Sequence, residues 1–317
     1  MVRIAVAGAS GQVAREIIDE LALTKKHEII LLSRNAPSGE ETRYGVTWQK
    51  VDFGNKEELM DALRGTHTVL SFIQTLNDKD HMSQKNLIDA AVTAGVKRLA
   101  PSEWGSARID DMPLWSGKGV IREYLEKLNE NGQVLEYSLF QPGMFLDYLA
   151  SPHQTAKYVT PLNTMFDFES RRAITIEGHD SVITFTAVRD LAVFVAKAVE
   201  YEGAWPVDGG IRGNRTTYSN IVKLGEKIRG APFSVEKVKV EDLKAGLLKT
   251  SWGLRANHPS IPAEQAAEML KSVLIGILLV SVQGCWDVSD EFNKCLTDFK
   301  FTDMEDFLTG IWGSERS

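Results

Sequence analysis

Residues 8–14 read Gly8-Ala9-Ser10-Gly11-Gln12-Val13-Ala14 and follow directly on the apolar run Arg3 to Ala7. Gly8 permits a tight turn, and Gly11 leaves the backbone bare where it must approach a diphosphate. A helix starting there offers unpaired N–H groups and a partial positive charge to the anion. Ala14 stands where a third glycine would let helix and strand pack closely, and alanine is small enough for that. A glycine spacing alone is a weak signal. Here it follows a buried-strand pattern, opens an amphipathic helix and begins a βαβ unit, the context that separates a dinucleotide turn from a bare loop. Gly8, Ala9, Ser10, Gly11, Gln12 and Val13 are therefore expected to cradle the diphosphate.

The next apolar run ends Leu32-Ser33-Arg34-Asn35. A carboxylate at that strand end would accept hydrogen bonds from the ribose 2′-OH of NAD. Positions 33 and 34 are not acidic, and the planar guanidinium of Arg34 suits a 2′-phosphate. The expected cofactor is NADP(H). Asp52, at the end of the third apolar run, is expected to receive the adenine amine. Proton transfer needs a separate group. None of the seven tyrosines has a lysine four residues on, Tyr124 and Lys127 coming nearest. Lys118 is the best remaining candidate. It stands near the start of a helix after the fifth strand, where a helix N-terminus and burial both disfavour an ammonium, as suits a general acid. Arg122 lies one turn later. Glu103 is expected to bond its own loop. Trp104, Trp115, Met144, Phe145 and Phe166 are expected to wall an apolar substrate pocket. Trp252, Trp286 and Trp312 have no assigned place.

These residues need a frame. Apolar runs at Arg3 to Ala7, His27 to Ser33, Val46 to Asp52, Thr68 to Ile73, Val96 to Pro101 and Leu135 to Phe140 read as strands. Helical spacing intervenes at Gln12 to Leu23, Lys56 to Leu63, Met82 to Ala94 and Gly117 to Asn129. That alternation implies an α/β Rossmann-type fold, a doubly wound parallel sheet whose ligands bind along the carboxyl edge. Beyond residue 150 the rhythm loosens. Strands are expected at 173–176, 205–207 and 233–240, helices at 190–199 and 218–229, and a mostly helical tail from 242. Residues 1–149 are thus assigned to an NADP(H)-binding Rossmann domain. Residues 150–317 form a smaller, mixed C-terminal substrate domain, with parts of 182–230 returning to the Rossmann sheet.

Composition narrows the function class. The chain has 317 residues, 43% hydrophobic and 25% charged, with a formal net charge of −7 from 36 basic and 43 acidic side chains. That sign argues against general nucleic-acid binding. Cys285 and Cys295 are too few for a disulfide framework. His27, His67, His81, His153, His179 and His258 show no ligand spacing, so no metal site is expected. Val273 to Val282 is too short to span a membrane and reads as a buried helix. A cytoplasmic protein acting on a small molecule is expected, with a homodimer as one oligomeric option.

Several segments add a resemblance. They are Gly8-Ala9-Ser10-Gly11 with Arg34, Ser71-Phe72-Ile73, Gln84 to Gly95, Val96 to Gly105 with its Pro101-Ser102-Glu103-Trp104-Gly105, Lys118 to Arg122, Phe140 to Phe145, and Thr184 to Val193. Together they resemble the NmrA-like and isoflavone-reductase-like group of atypical short-chain dehydrogenases. The resemblance implies an NADPH-dependent reductase of a small aromatic or unsaturated metabolite, in secondary metabolism. It also implies that Ser71, Phe72, Ile73, Gln141 and Pro142 border the cofactor, and that Lys118 assists catalysis and touches the nicotinamide ribose. The sequence departs from those reductases at Gln141 to Met144, at Trp115-Ser116-Gly117 and through the last ninety or so residues. Two other readings remain: a non-enzymatic NADP(H) sensor that binds a partner protein, and a redox-neutral isomerase or cyclase.

Overall fold

The computed structural model describes residues 1–35, 41, 43–74, 78–108, 115–254 and 263–313, apart from the side chains of 263–266. His258 lies outside the described residues. Six strands form one sheet: β1 (Arg3–Ala7), β2 (Glu28–Ser33), β3 (Val46–Lys50), β4 (Thr68–Ser71), β5 (Arg98–Ala100) and β6 (Glu136–Tyr137). Their order is β3-β2-β1-β4-β5-β6, and every pairing is parallel. Val6 lies between Leu31 and Leu70 in this register. The sheet mixes with smaller ones further along, as the looser second half suggested.

The central strands are apolar at consecutive positions because both faces are covered. Ile4, Val6, Ile29 and Leu31 pack on one face with Ile17, Ile18 and Leu21 of α1 (Gln12–Leu23). Ala5, Ala7, Ile30 and Leu32 face the other way. There they meet Leu59 of α2 (Lys56–Ala62), Leu87 and Ile88 of α3 (Met82–Thr93), and Ile121 and Leu125 of α4 (Ser116–Leu128). A third cluster, built on Phe166, Phe168, Ile174, Phe185, Tyr218 and Trp312, lies in the second half.

The expected sixth strand is divided. After Ser138 the chain continues as β7 (Leu139–Gln141), which pairs in parallel with β12 (Asp208–Gly210). The strand expected at 205–207 therefore sits three residues later. Trp205 instead is buried, its indole donating to the Ala198 carbonyl at 2.9 Å. Asp-Gly-Gly is a poor strand sequence, but here it is required: a Cβ on Gly209 would lie 2.6 Å from the Leu139 carbonyl oxygen. Between them lie β8 (Met144–Phe145), β9 (Phe166–Asp167), β10 (Arg172–Ile176), β11 (Val182–Thr186) and α5 (Val188–Glu200). Downstream come β13 (Asn214–Thr217), α6 (Tyr218–Arg229), β14 (Ser234–Val238), α7 (Val240–Lys244), α8 (Ala263–Val282) and α9 (Met304–Trp312). β8 runs beside β11, and β11 beside β13; β10 lies between β9 and β14. Residues 283–303, expected to be largely helical, hold only the short 3-10 turn Asn293–Cys295. Phe292, Phe299 and Phe301 of that stretch pack on Phe194 of α5, so the backbone follows its aromatic contacts. Both cysteines are free.

Candidate active site at the carboxyl edge

The strand order reverses between β1 and β4, and ligands of open α/β sheets bind in the crevice above such a point. A cavity of about 350 Å³ opens there, lined by Gly8, Ser10, Gly11, Ser33, Arg34, Asn35, Phe53, Phe72, Ile73, Gln74, Asp78 and Ser83. Gly8 has φ +79°, and a Cβ on it would lie 2.8 Å from the Phe72 carbonyl. Both the turn and the closeness of the two strand ends therefore demand glycine. Ala9, between them, is buried. Gly11 lines the cavity and is the N-cap of α1, and it supplies no side-chain cap to compete with a ligand for the first amides of that helix. Val13 is half-buried behind them. Gln12 is turned outward, its amide bonded to Thr160 at 3.3 Å.

Arg34 is exposed on the cavity wall and has no ion pair among the described residues. Nearby Arg43 differs: its guanidinium is held by Glu41 and by Asp19, the latter at 2.9 Å. Asp52 turns into its own loop, where its carboxylate accepts the Gly54 N–H at 2.8 Å, and Phe53 takes its place in the cavity wall. The reason is local: β3 stops at Lys50, and Asp52 shapes the turn into α2.

Phe72 and Ile73 line the cavity. Ser71 is buried, its carbonyl accepting the Trp104 indole N–H at 2.7 Å. Trp104 itself stacks on Phe72, with ring centroids 4.3 Å apart and planes 8° from parallel, and its backbone is left-handed at φ +43°. One face of this indole is thus already committed to protein. Trp115 lies edge-on at 6.1 Å to Trp286, which is buried in the core of the second half, a place no local pattern gave. Met144 and Phe145 are buried in β8, Phe145 against Tyr148. Phe166 belongs to the core of the second half instead of a pocket wall: it is 2% exposed and packs edge-on against Tyr218, because β9 is covered on that side by α6.

Lys118 sits in the first turn of α4 and points inward. Its ammonium donates to the Glu103 carbonyl and lies 4.9 Å from the Trp115 ring centroid. Burial lowers its pKa below the ordinary lysine value; the Glu103 carboxylate works against this and the Arg122 guanidinium adds to it. Arg122, one turn on, forks onto the buried Glu103 carboxylate at 2.9 and 2.6 Å and donates to the Ala107 carbonyl. Glu103 thereby bonds α4 and not merely its own loop. Gln141 also reaches the Ala107 carbonyl, at 3.2 Å, and the Pro142 carbonyl accepts from Thr186. Gly143 has φ +73° and hands its N–H to Gly105. The loops after β5 and β7 are thus tied to each other around Lys118. Two residues escaped sequence reasoning though a signal existed: Asp78 accepts the Ser83 and Gln84 amides, a capping pattern, and Gln84 accepts the Ser102 N–H. Among the described residues there is no cluster of histidine, cysteine and carboxylate groups that could hold a metal, and no helix long and apolar enough to cross a membrane.

The profile of the NmrA-like family matches residues 2–308. Oxidoreductase BOA1 of Botryotinia fuckeliana is 31% identical over 237 residues, 73% of this chain and 77% of that protein. The fold is shared with the NADPH complex of the quinone oxidoreductase QOR2 of Escherichia coli, with TM-score 0.67, 21% identity and coverage of 97% and 99% of the two chains. It is also shared with an isoflavone reductase, with TM-score 0.69, 17% identity and coverage of 97% and 98%.

Proposed function

The chain belongs to the NmrA-like family, and on that premise we propose that it is an NADPH-dependent oxidoreductase reducing a small aromatic or unsaturated metabolite. Secondary metabolism is the setting such a substrate suggests. The observation that carries the proposal is the meeting, on one cavity, of a helix N-terminus without a side-chain cap behind Gly8 with the guanidinium of Arg34, which has no ion pair among the described residues. A diphosphate satisfies the first and a 2′-phosphate the second. The neighbouring NADPH complex and the name of the Botryotinia relative support the same reading.

NADPH supplies a hydride when bound. The chain's own part is to hold a proton beside it. Lys118 carries that proton at Nζ, steered by the Glu103 carbonyl and the face of Trp115. Burial makes the ammonium a stronger acid than a surface lysine, which favours transfer to a substrate oxygen or carbon. The half-buried indole of Trp115 offers apolar surface to a flat substrate. A sensor function needs no buried amine, so the depressed Lys118 favours the enzyme over the sensor.

The test is cofactor preference. NADPH and NADH affinities are measured by fluorescence titration for the wild type and for Arg34→Asp. A charge-assisted bond to phosphate is worth about 1.5–3 kcal/mol, so NADPH affinity is expected to fall roughly 10- to 100-fold while NADH affinity holds or rises. An unchanged preference removes Arg34 from the proposal, and no affinity for either nucleotide removes the proposal.

A further inference from the structure

We propose that His81 is a positioning residue that returns the proton Lys118 gives up in each turnover. This rests on the reductase reading and deepens it. The site lacks a tyrosine–lysine pair, so a lysine buried against Glu103 and Trp115 needs a route by which its amine is recharged.

Four observations single out His81. It occupies the 3-10 turn Lys79–His81 just before α3, and both Asp80 (φ 53°) and His81 (φ 56°) are left-handed. Of the five non-glycine residues with that backbone among the described residues, three (Asp80, His81 and Trp104) lie on the loops after β4 and β5. Such conformations are strained and collect at functional sites. Second, the imidazole presses on the first turn of α4: a Cβ on Gly117 would overlap His81 Cε1 and lie 2.8 Å from Nδ1. Gly117 immediately precedes Lys118. Third, Nδ1 is buried and has no hydrogen-bond partner among the described residues, and an unsatisfied buried nitrogen calls for a role. Fourth, that role is not helix capping, because Asp78 already accepts the Ser83 and Gln84 amides at 2.8 and 3.1 Å. The charged groups nearest in the chain are Asp78, Lys79 and Asp80 of its own turn and Lys85 of α3, which donates to the Asp80 carbonyl; on α4 the ring meets Gly117, the residue before Lys118.

The proton balance is simple. The substrate gains a hydride on carbon from NADPH and one proton from Lys118, which is left as a neutral amine. The His81 imidazolium returns a proton to that amine, and solvent recharges the imidazole. One NADPH and one solvent proton are consumed per substrate reduced.

The informative variant is His81→Gly, because glycine keeps the left-handed backbone without strain and leaves a ring-sized gap beside Gly117. Wild type, H81G and Lys118→Met are assayed with NADPH and two probe acceptors, a para-quinone and pinoresinol. H81G is expected to lose roughly 100-fold or more in kcat, the lower end of general acid–base contributions, with NADPH affinity unchanged. Imidazole added to the buffer is expected to restore part of the rate, which a purely structural role would not allow. Normal kcat in H81G, or a loss that imidazole leaves untouched, overturns the proposal. Full activity in K118M overturns the Lys118 assignment and this proposal with it, while NADPH binding stands. A second readout needs no turnover. The imidazole NMR signal absent from H81G is followed across pH with Lys118 present and in K118M. Its titration midpoint is expected to differ between the two, and an identical midpoint overturns the coupling.

Discussion

Burial decides what Lys118 can do. An ammonium held against one carbonyl and one indole face loses most of its hydration, and the Arg122 charge adds to the penalty. As a general acid it must be protonated to act. Activity is therefore expected to be full at pH values below its lowered pKa and to decline as pH rises through it. The limb should lie below the ordinary lysine value of about 10.4. A kcat/KM profile against pH checks this, and a limb that persists unchanged in Lys118→Met would assign it to another group. Arg34 and Arg43 show how little residue type says alone. Both are arginines near the β2–β3 edge, yet Arg43 is paired with Glu41 and Asp19 while Arg34 lines the cavity with no ion pair among the described residues. Arg34 was legible because its strand-end position has a meaning. The fork of Arg122 on Glu103 was not, since nineteen residues separate partners that only packing brings together.

The strand–turn–helix element from β1 to α1 holds two glycines that do different work. Gly8 is left-handed and abuts the Phe72 backbone, so Gly8→Ala is expected to destabilise the fold by about 1–3 kcal/mol through strain at a special φ. Gly11 has φ −66°, and a Cβ there would meet the Gly8 carbonyl oxygen at 3.4 Å and the Ala14 Cβ at 3.9 Å, both ordinary contacts. Gly11→Ala is therefore expected to melt within a degree or two of the wild type, as a surface substitution outside special sites does. It should still weaken NADPH binding, because its methyl stands where the diphosphate must approach. Thermal unfolding together with NADPH titration separates the two. Equal melting losses in both variants would contradict this division. Among the elements, the strands and helices of the first half matched their apolar periods closely. β12 did not, because Asp208-Gly209-Gly210 becomes a strand only by fitting against β7.

Across the whole molecule the two halves share hydrophobic core. The cluster on the α1 face of the sheet joins Ile4 and Leu70 to Phe140, to Leu191, Phe194 and Val195 of α5, and to Phe292 near the far end of the chain. Arg98 of β5, 2% exposed, adds a polar tie by donating to the carbonyls of Tyr201 and Gly203 while pairing with Glu136 at 2.9 Å. A boundary near residue 149 therefore does not divide this hydrophobic cluster. One cooperative denaturant transition is expected, with tryptophan fluorescence and far-UV circular dichroism coinciding. Two separated transitions would show that the halves fold independently.

The sequence by itself determined the parallel α/β frame, the glycine turn and an arginine at the second strand end. These depend on neighbours a few residues apart, where period and turn chemistry act. Tertiary structure alone decided that Lys118 is buried, that Glu103 and Arg122 are paired, that Trp286 stands beside Trp115, and that Phe166 is core. Each of those rests on a contact across fifteen or more residues, and burial, hydration and pKa are properties of the assembled surroundings, which no local pattern carries.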